Sequence, residues 1–406
     1  MIGVSKLYCG AVEPSDLLRY RRLSSELPSH LLQFSEDKKP VIAWNVTRAC
    51  NLSCVHCYAS ATPGPAEGEL SREEALALAR NLADFGAPVI LFSGGEPLFH
   101  PHIFELVELT VKSGARAVLS TNGLLLTRDW ALKLRDIGLS YVGVSLDGLA
   151  EAHDRMRGLA GAFDLALQAI DTAKKANLKV GLRLTITKSN LGDIGQIFDL
   201  LEEEGVPRIC FYHLVDNGRR PELAAESLSH QETRAAVDLI AKRTWLLRQK
   251  GFNPEVLTVD NPADGPYLYL KMREEGRLHE AGNALELLRL NGGASSGHGV
   301  GAISWDGLVY PDQFWRTRVL GSIRERPFAE IWRDPGNELL MKLKDKKSHV
   351  TGRCRVCGFL EICGGGLRAR ADFATGDPWA PDPACYLTDE EISIDLNGAS
   401  AVAAEM

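Results

Sequence analysis

Val41-Ile-Ala-Trp-Asn-Val-Thr47 runs directly into Arg48-Ala-Cys50-Asn-Leu-Ser-Cys54-Val-His-Cys57-Tyr58. The first part is a β-rich run that reads as a strand, and the second hangs three thiols on a loop at its C-terminal end, where the active sites of β/α barrels sit. Outward from there the same rhythm repeats. Short β-rich runs at Val41–Thr47, Pro88–Phe92, Ala115–Ser120, Tyr141–Ser145, Val180–Ile186 and Arg208–His213 alternate with amphipathic helical runs. That alternation predicts an α/β fold with a parallel sheet, and six such units predict a partial (β/α)6 barrel of the TIM type. Local signals agree. Ser71-Arg-Glu-Glu74 is a capping box opening a helix whose Leu78, Leu82 and Phe85 share a face, with Gly86 to end it, and Ser229 to Glu232 opens a later helix the same way.

The chain has 406 residues, 45% of them hydrophobic, enough for one large domain and a smaller one. A net charge of −7 lacks the basic stripe that nucleic acid requires, so no nucleic-acid partner is expected. No segment approaches a membrane span and the first ten residues do not read as a signal peptide, so the expected location is the cytoplasm, with no membrane partner. In such a compartment the nine cysteines are better read as metal ligands than as disulfides.

Residues 1–40 are expected to form an N-terminal extension and 41–250 the barrel. Residues 251–300, with Asn261-Pro-Ala-Asp-Gly-Pro266 and Asn291-Gly-Gly-Ala-Ser-Ser-Gly297, are rich in turn formers and are expected to be a linker on the substrate side. From 301 to 406 a small domain is expected, beginning with a hairpin that turns at Asp306-Gly307.

Three cysteines cannot saturate a cubane cluster: they hold three irons and leave the fourth open to a chelating substrate. Zinc on the three thiolates plus His56 is the competing reading, disfavoured because His56 lies between two cysteines too close for a relaxed tetrahedral loop. Four motifs together bear on this. Cys50/Cys54/Cys57/Tyr58, Ser93-Gly-Gly-Glu-Pro97, Ser120-Thr-Asn-Gly123 and Val144-Ser-Leu-Asp-Gly148 resemble, in order and spacing, those of the radical S-adenosylmethionine (SAM) superfamily. The resemblance implies a [4Fe–4S] cluster on Cys50, Cys54 and Cys57, an open iron that binds SAM, and its cleavage to a 5′-deoxyadenosyl radical.

In this reading Gly94 and Gly95 let the backbone approach a ligand, Glu96 accepts from the SAM ammonium, and Pro97 stiffens the turn. Tyr58 belongs to the cysteine motif. Asn122 and Ser145 offer small polar groups at strand ends, for ribose hydroxyls or the methionine carboxylate. Of Arg157, Arg183 and Thr185, Arg183 is the preferred SAM-side residue, since a cation in an apolar strand implies a buried anionic partner.

Cys354-Arg-Val-Cys357, Cys363-Gly-Gly-Gly366 and Cys385 supply four thiolates, which by count alone suit zinc or iron. The group resembles the C-terminal SPASM or twitch extension of radical SAM enzymes. That resemblance implies one auxiliary [4Fe–4S] cluster, because Asp312 stands where a further cysteine would be sought. Cys210, inside the sixth strand, is expected in the core, and Cys9 has no assignment.

The flanking sequence, from Ser5-Lys-Leu-Tyr-Cys-Gly10 through Phe211-Tyr-His-Leu-Val215 to Asp382-Pro-Ala-Cys-Tyr386, resembles the tetrapyrrole-modifying branch of the family. It implies removal of two acetates from 12,18-didecarboxysiroheme to give iron-coproporphyrin III, or else action on propionates on the route to haem d1. It also implies a small electron donor such as a ferredoxin or flavodoxin. Tyr212 and His213, ending the sixth strand, are the catalytic candidates, with both expected to face the barrel mouth and His213 as axial ligand or proton donor. The competing reading is that His213 merely hydrogen-bonds inside the fold. His298 is a second histidine candidate; Arg219, Arg220 and Arg316 are candidate cations for propionates; Tyr267, Tyr269, Phe314 and Trp315 are candidate slot-lining aromatics.

Three other classes compete. An iron–sulfur electron carrier has no need of Gly94-Gly-Glu-Pro97. A peptide-modifying radical SAM enzyme usually carries a recognition domain that residues 1–40 are too short to form. A zinc-binding interaction module does not account for the barrel pattern.

Overall fold

The computed structural model describes residues 1–10, 39–216 and 221–396, without the side chains of Pro221 and Glu222. Arg219 and Arg220 lie outside the described residues. The strands are β1 Ile2–Gly3, β2 Val41–Thr47, β3 Val89–Gly94, β4 Arg116–Thr121, β5 Tyr141–Ser145, β6 Val180–Ile186, β7 Arg208–His213, β8 Glu255–Val259, β9 Val300–Ile303, β10 Leu308–Tyr310 and β11 Gly321–Ser322. The main helices are α1 Arg72–Phe85, α2 Ile103–Lys112, α3 Arg128–Asp136, α4 Ala150–Arg157, α5 Ala162–Lys175, α6 Ile194–Glu203, α7 His230–Gln249, α8 Asp264–Glu274 and α9 Leu278–Asn291. The expected α/β architecture is the one the chain adopts.

Two compact units result, each discontinuous in sequence. One comprises Lys38–Leu184 and Ser296–Lys344. In it β2, β3, β4, β5 and β6 pair in parallel in sequence order. Such strands are covered on both faces and must be apolar almost throughout: in β2, Trp44 is buried and meets Phe92 of β3 at 5.8 Å between ring centroids. An aromatic pair of this kind adds about 0.5–1.5 kcal/mol beyond its burial. The capping box of Ser71 and Glu74 opens α1, and Gly86, in the left-handed region at φ 78, ends it, as the sequence predicts.

The hairpin also forms as expected: β9 and β10 pair antiparallel, and Gly307 at φ 83 makes the turn. Its placement was not foreseen. β9 adds in parallel to β2, with Val41 opposite Val300 and Trp44 opposite Ile303, so the hairpin extends the sheet of this unit instead of standing apart.

The other unit comprises Met1–Asp37, Thr185–Ser295 and Asp345–Met406. β7 pairs in parallel with β8, and β1 pairs antiparallel with β8. Phe211 of β7 stacks on Phe198 of α6 at 5.5 Å. On the opposite face Cys210 packs with Leu257 and Val259, a core position as predicted. The box of Ser229 and Glu232 caps α7.

Residues 251–300 are not a linker. They hold β8, α8 and α9, and the turn formers read as a linker are start and stop signals. Pro266 sits in the first turn of α8, where its missing N–H costs nothing, and Gly292, at φ 70, ends α9. Among the described residues no helix is long and apolar enough to cross a membrane.

Candidate active site

A register shift between Asn45 and Thr47, where β2 meets β3, turns the end of β2 and launches the cysteine loop. The loop is anchored at both ends. Cys50 N–H donates to Thr62 O at 2.8 Å and Thr62 N–H to Arg48 O at 2.9 Å, while Glu69 accepts from the Thr47 hydroxyl and the Arg48 N–H. Cys57 N–H donates to Cys54 O at 3.3 Å. Burial pushes the Cys50 thiol up to about 12, and Cys54 and Cys57 stand close enough to press the same way.

Each sulfur also meets N–H donors: Asn122 Nδ2 at 3.8 Å and the Leu52 backbone on Cys50, Arg157 Nη1 at 3.6 Å on Cys54, and Ala61 N at 3.5 Å on Cys57. Donors aimed at three crowded sulfurs are what thiolates need and thiols do not. The donor set therefore fits an iron–sulfur cluster that takes the place of the protons. His56 Nε2 lies 3.1 Å from the Asp147 carboxylate.

Gly94-Gly95-Glu96-Pro97 follows β3. The close approach its glycines permit is to the chain's own backbone: a Cβ on Gly95 would lie 2.2 Å from Ala49 O, and one on Gly94 2.4 Å from Thr47 O. Gly95 N–H and Glu96 N–H donate to Thr47 O and Ala49 O at 2.8 and 2.7 Å, locking the motif under the cysteine loop.

Glu96 is 0% exposed and receives the Thr121 hydroxyl at 2.8 Å, Asn122 N–H at 2.8 Å and Leu98 N–H at 3.1 Å. It ties the end of β3 to the end of β4, a role the sequence does not announce. Pro97 opens the short 3₁₀ turn Pro97–Phe99. Burial outweighs the three donors and lifts the Glu96 carboxyl to about 7. The unfolded group loses its proton near its ordinary value of 4.5, so the folded state binds the extra proton between these values, and stability falls as pH rises from about 4.5 through about 7. Relative to wild type, Glu96→Gln is expected to gain on the order of 3 kcal/mol between about pH 5 and about pH 8, as read by chemical denaturation at each pH.

Asn122 donates to Asn51 Oδ1 at 2.7 Å and accepts from Leu124 N–H at 3.0 Å, which places its amide beside Cys50. Tyr58 bonds Asn45 Oδ1 at 2.9 Å and Ser93 Oγ at 3.0 Å and meets Phe314 edge-on at 5.5 Å. Arg183 lies opposite Ser145 on β6 and its side chain passes across Gly143, where a Cβ would meet Nε at 2.1 Å. Its charge reaches Tyr58, whose phenol burial holds above the usual range.

Arg157 turns out to have the more elaborate setting. It and His153, four residues apart on the buried face of α4, enclose Asp147: Arg157 Nη2 pairs with the Asp147 carboxylate, and Asp147 N–H donates to His153 Nδ1 at 2.9 Å. Asp147 is held well below the usual carboxylate range by Arg157 and then His56, against its own desolvation. Two polar residues on an otherwise apolar helix face were the available signal.

In the other unit Cys354, Cys357, Cys363 and Cys385 converge on one region. Burial raises Cys363 well above its ordinary value, with Cys385, Cys354 and Cys357 adding to it, and lifts Cys385 to about 11. Gly364, Gly365 and Gly366 all adopt positive φ, and Ala294 N–H reaches Cys363 O at 2.9 Å. Asp382 accepts from Leu367 N–H, Ala384 N–H and Arg370, while buried Arg368 donates to Pro378 O and Ala380 O, so two internal arginines hold the loop that carries Cys385. Four thiols gathered in one region, with burial raising those of Cys363, Cys385 and Cys357, fit a cation that displaces their protons. Among the described residues no three His, Cys, Asp or Glu side chains stand in the geometry that holds a single metal ion. Asp312 is buried and spent on Ser296 Oγ, Phe314 N–H and Trp315 N–H.

Tyr212 and His213 cannot both look into the barrel, because neighbouring strand residues point to opposite faces. Tyr212 shares the face of Cys210, whereas His213 shares that of Phe211, toward α6. His213 Nε2 lies 2.8 Å from Asp264 Oδ2, and Tyr386 donates to Asp264 Oδ1 at 2.8 Å; all three are buried. Tyr267 and Tyr269 are buried and pack edge-on against Tyr386 and Phe359. Trp315 is likewise core. His298 lies in the turn between Ser296 and Val300, and Arg316 donates to Ala59 O at 3.1 Å while covering Trp305.

The model of the radical SAM superfamily matches residues 44–201, and that of the SPASM iron-sulfur cluster-binding domain residues 297–358. The chain is 57% identical over 395 residues, 97% of its length and 99% of the relative's, to the Fe-coproporphyrin III synthase of Methanosarcina barkeri. It is 37% identical over 354 residues, 87% of each, to the pre-heme d1 synthase of Dinoroseobacter shibae. Native anSMEcpe with bound AdoMet shares the fold at a TM-score of 0.67 and 21% identity, over 90% of this chain and 100% of that one.

Proposed function

Because the chain belongs to the radical SAM superfamily and carries a SPASM iron–sulfur domain, we propose that it removes the two acetate side chains of 12,18-didecarboxysiroheme to give iron-coproporphyrin III. The observation that carries this reading is the 57% identity along 97% of the chain to a protein named for that product, against 37% to the pre-heme d1 synthase.

Cys50, Cys54 and Cys57 hold the SAM-binding [4Fe–4S] cluster in this proposal, and Cys354, Cys357, Cys363 and Cys385 hold one auxiliary [4Fe–4S] cluster. The occupation of Asp312 by its own turn supports one auxiliary cluster and not two. When bound and reduced, the first cluster supplies the electron that splits SAM, and the cell supplies it from a small carrier such as a ferredoxin or flavodoxin. Gly94, Gly95, Glu96 and Pro97 form the platform beneath the cysteine loop, and Glu96 serves SAM by holding Asn122 in place. Asn122 and Ser145 present polar groups at the C-terminal ends of β4 and β5, and Tyr58 and Arg183 complete the SAM side. Tyr212 takes the substrate-facing role on β7. His213, held by Asp264 on the face away from Tyr212, is read here as a residue that hydrogen-bonds inside the fold.

The test is anaerobic: reconstituted protein with SAM, dithionite and 12,18-didecarboxysiroheme, followed by mass spectrometry and absorbance. Two acetate losses with a porphyrin spectrum are the expected result. 5′-Deoxyadenosine formed over an unchanged substrate overturns the substrate assignment, and loss of propionate carbon instead of acetate moves it to the haem d1 route.

A further inference from the structure

We propose that Arg157 is a positioning residue that sets the reduction potential of the first cluster through its hydrogen bond to the Cys54 sulfur. The inference rests on the assignment of Cys54 as a cluster ligand, and not on the identity of the tetrapyrrole.

The three sulfurs of the cysteine loop are served unequally. Cys50 faces neutral donors only, the Asn122 side-chain amide at 3.8 Å and the Leu52 backbone, and Cys57 a backbone N–H at 3.5 Å; Cys54 faces a guanidinium at 3.6 Å. A charge-assisted donor acts more strongly than a neutral one, and hydrogen bonds to ligand sulfur are among the levers that set an iron–sulfur potential. Arg157 is 8% exposed, so water screens this contact little.

Its aim is built in from three directions. Nη2 is held by Asp147, which is 0% exposed and takes His56 Nε2 on the same carboxylate. The last turn of α4 is docked on the cysteine loop by Val55 N–H donating to Met156 O at 3.0 Å. Gly158, at φ 72, then ends the helix beside Ser53, leaving Arg157 at its final position.

The arrangement is a dipole, positive end on the sulfur and negative end behind it. The positive end stabilises the electron-rich reduced cluster and raises its potential; Asp147, farther away, offsets part of that effect. Removing the two ends must therefore move the potential in opposite directions, whereas a merely structural contact would disturb the site in the same direction whichever partner is lost.

The measurement is EPR-monitored redox titration of holoenzyme containing both clusters, the SAM-binding cluster being identified by its spectral change on adding SAM. Arg157→Gln is expected to lower its midpoint potential and Asp147→Asn to raise it. An unchanged midpoint in Arg157→Gln, or shifts of the same sign in both variants, overturns the proposal. If Arg157→Gln does not retain iron, Arg157→Lys decides. Its shorter, undelocalised cation must still lower the midpoint, by less than full removal, and a wild-type midpoint rejects the assignment. No step uses the tetrapyrrole, so a shifted potential in a protein inactive on that substrate would count against the substrate alone.

Discussion

Cys54→Ala protein is expected to cleave no SAM while keeping its fold and about half of its iron. Wild type should bind roughly 8 iron per monomer, two cubanes, and the variant roughly 4, those of the auxiliary site. Two thiolates cannot hold a cubane that three hold with one iron open, and Cys54 is the buried sulfur that Arg157 addresses. Stability should change little in the unloaded protein, because the loop is anchored by Thr62, Glu69 and Met156, not by the sulfur. Metal analysis and 5′-deoxyadenosine release check this together. Roughly 4 iron plus 1 zinc in wild type would replace the auxiliary cluster by a structural zinc, and SAM cleavage by the variant would remove Cys54 from the ligand set.

Gly95→Ala is expected to be nearly as damaging, by a different route. One methyl group must occupy a point 2.2 Å from Ala49 O and 2.6 Å from Arg48 O, and both are backbone atoms of the cysteine loop with no rotamer to give way. Relief requires the end of β3 to part from the loop, which breaks the bonds from Gly95 N–H to Thr47 O and from Glu96 N–H to Ala49 O. A cost of about 3 kcal/mol or more follows from overpacking plus two lost backbone hydrogen bonds. The variant should therefore melt earlier and fail to load its first cluster. Gly192→Ala, where an added Cβ meets nothing within 4 Å, is the control and should match wild type. Equal melting temperatures and iron contents for Gly95→Ala and wild type would reject this account of the motif.

The cysteine spacing, the β/α rhythm and the helix caps could be read directly because each is local. A strand declares itself in a few consecutive residues, and Ser71 and Glu74 meet within a single turn. β8 escaped because Asn261, Pro262 and Gly265 beside it look like a linker until they are seen opening a helix. The Asp306-Gly307 turn was legible, yet the sequence had no means of saying that β9 would pair with β2, since many exposed edges accept a strand equally well.

The site divides in the same way. From the residues alone the candidates for the chemistry could be named: three thiols short of a full cluster, four that would complete one, and the glycine–glutamate motif between strands. What surrounds them is visible only in the folded chain. Arg157 reaches Cys54 across 103 residues and Tyr386 reaches Asp264 across 122, and Tyr212 and His213, adjacent in sequence, are sent to opposite faces. Covalent spacing limits what a loop can ligate, but hydrogen bonds between distant segments, and the burial that makes them strong, exist only once the packed chain has excluded water from both partners.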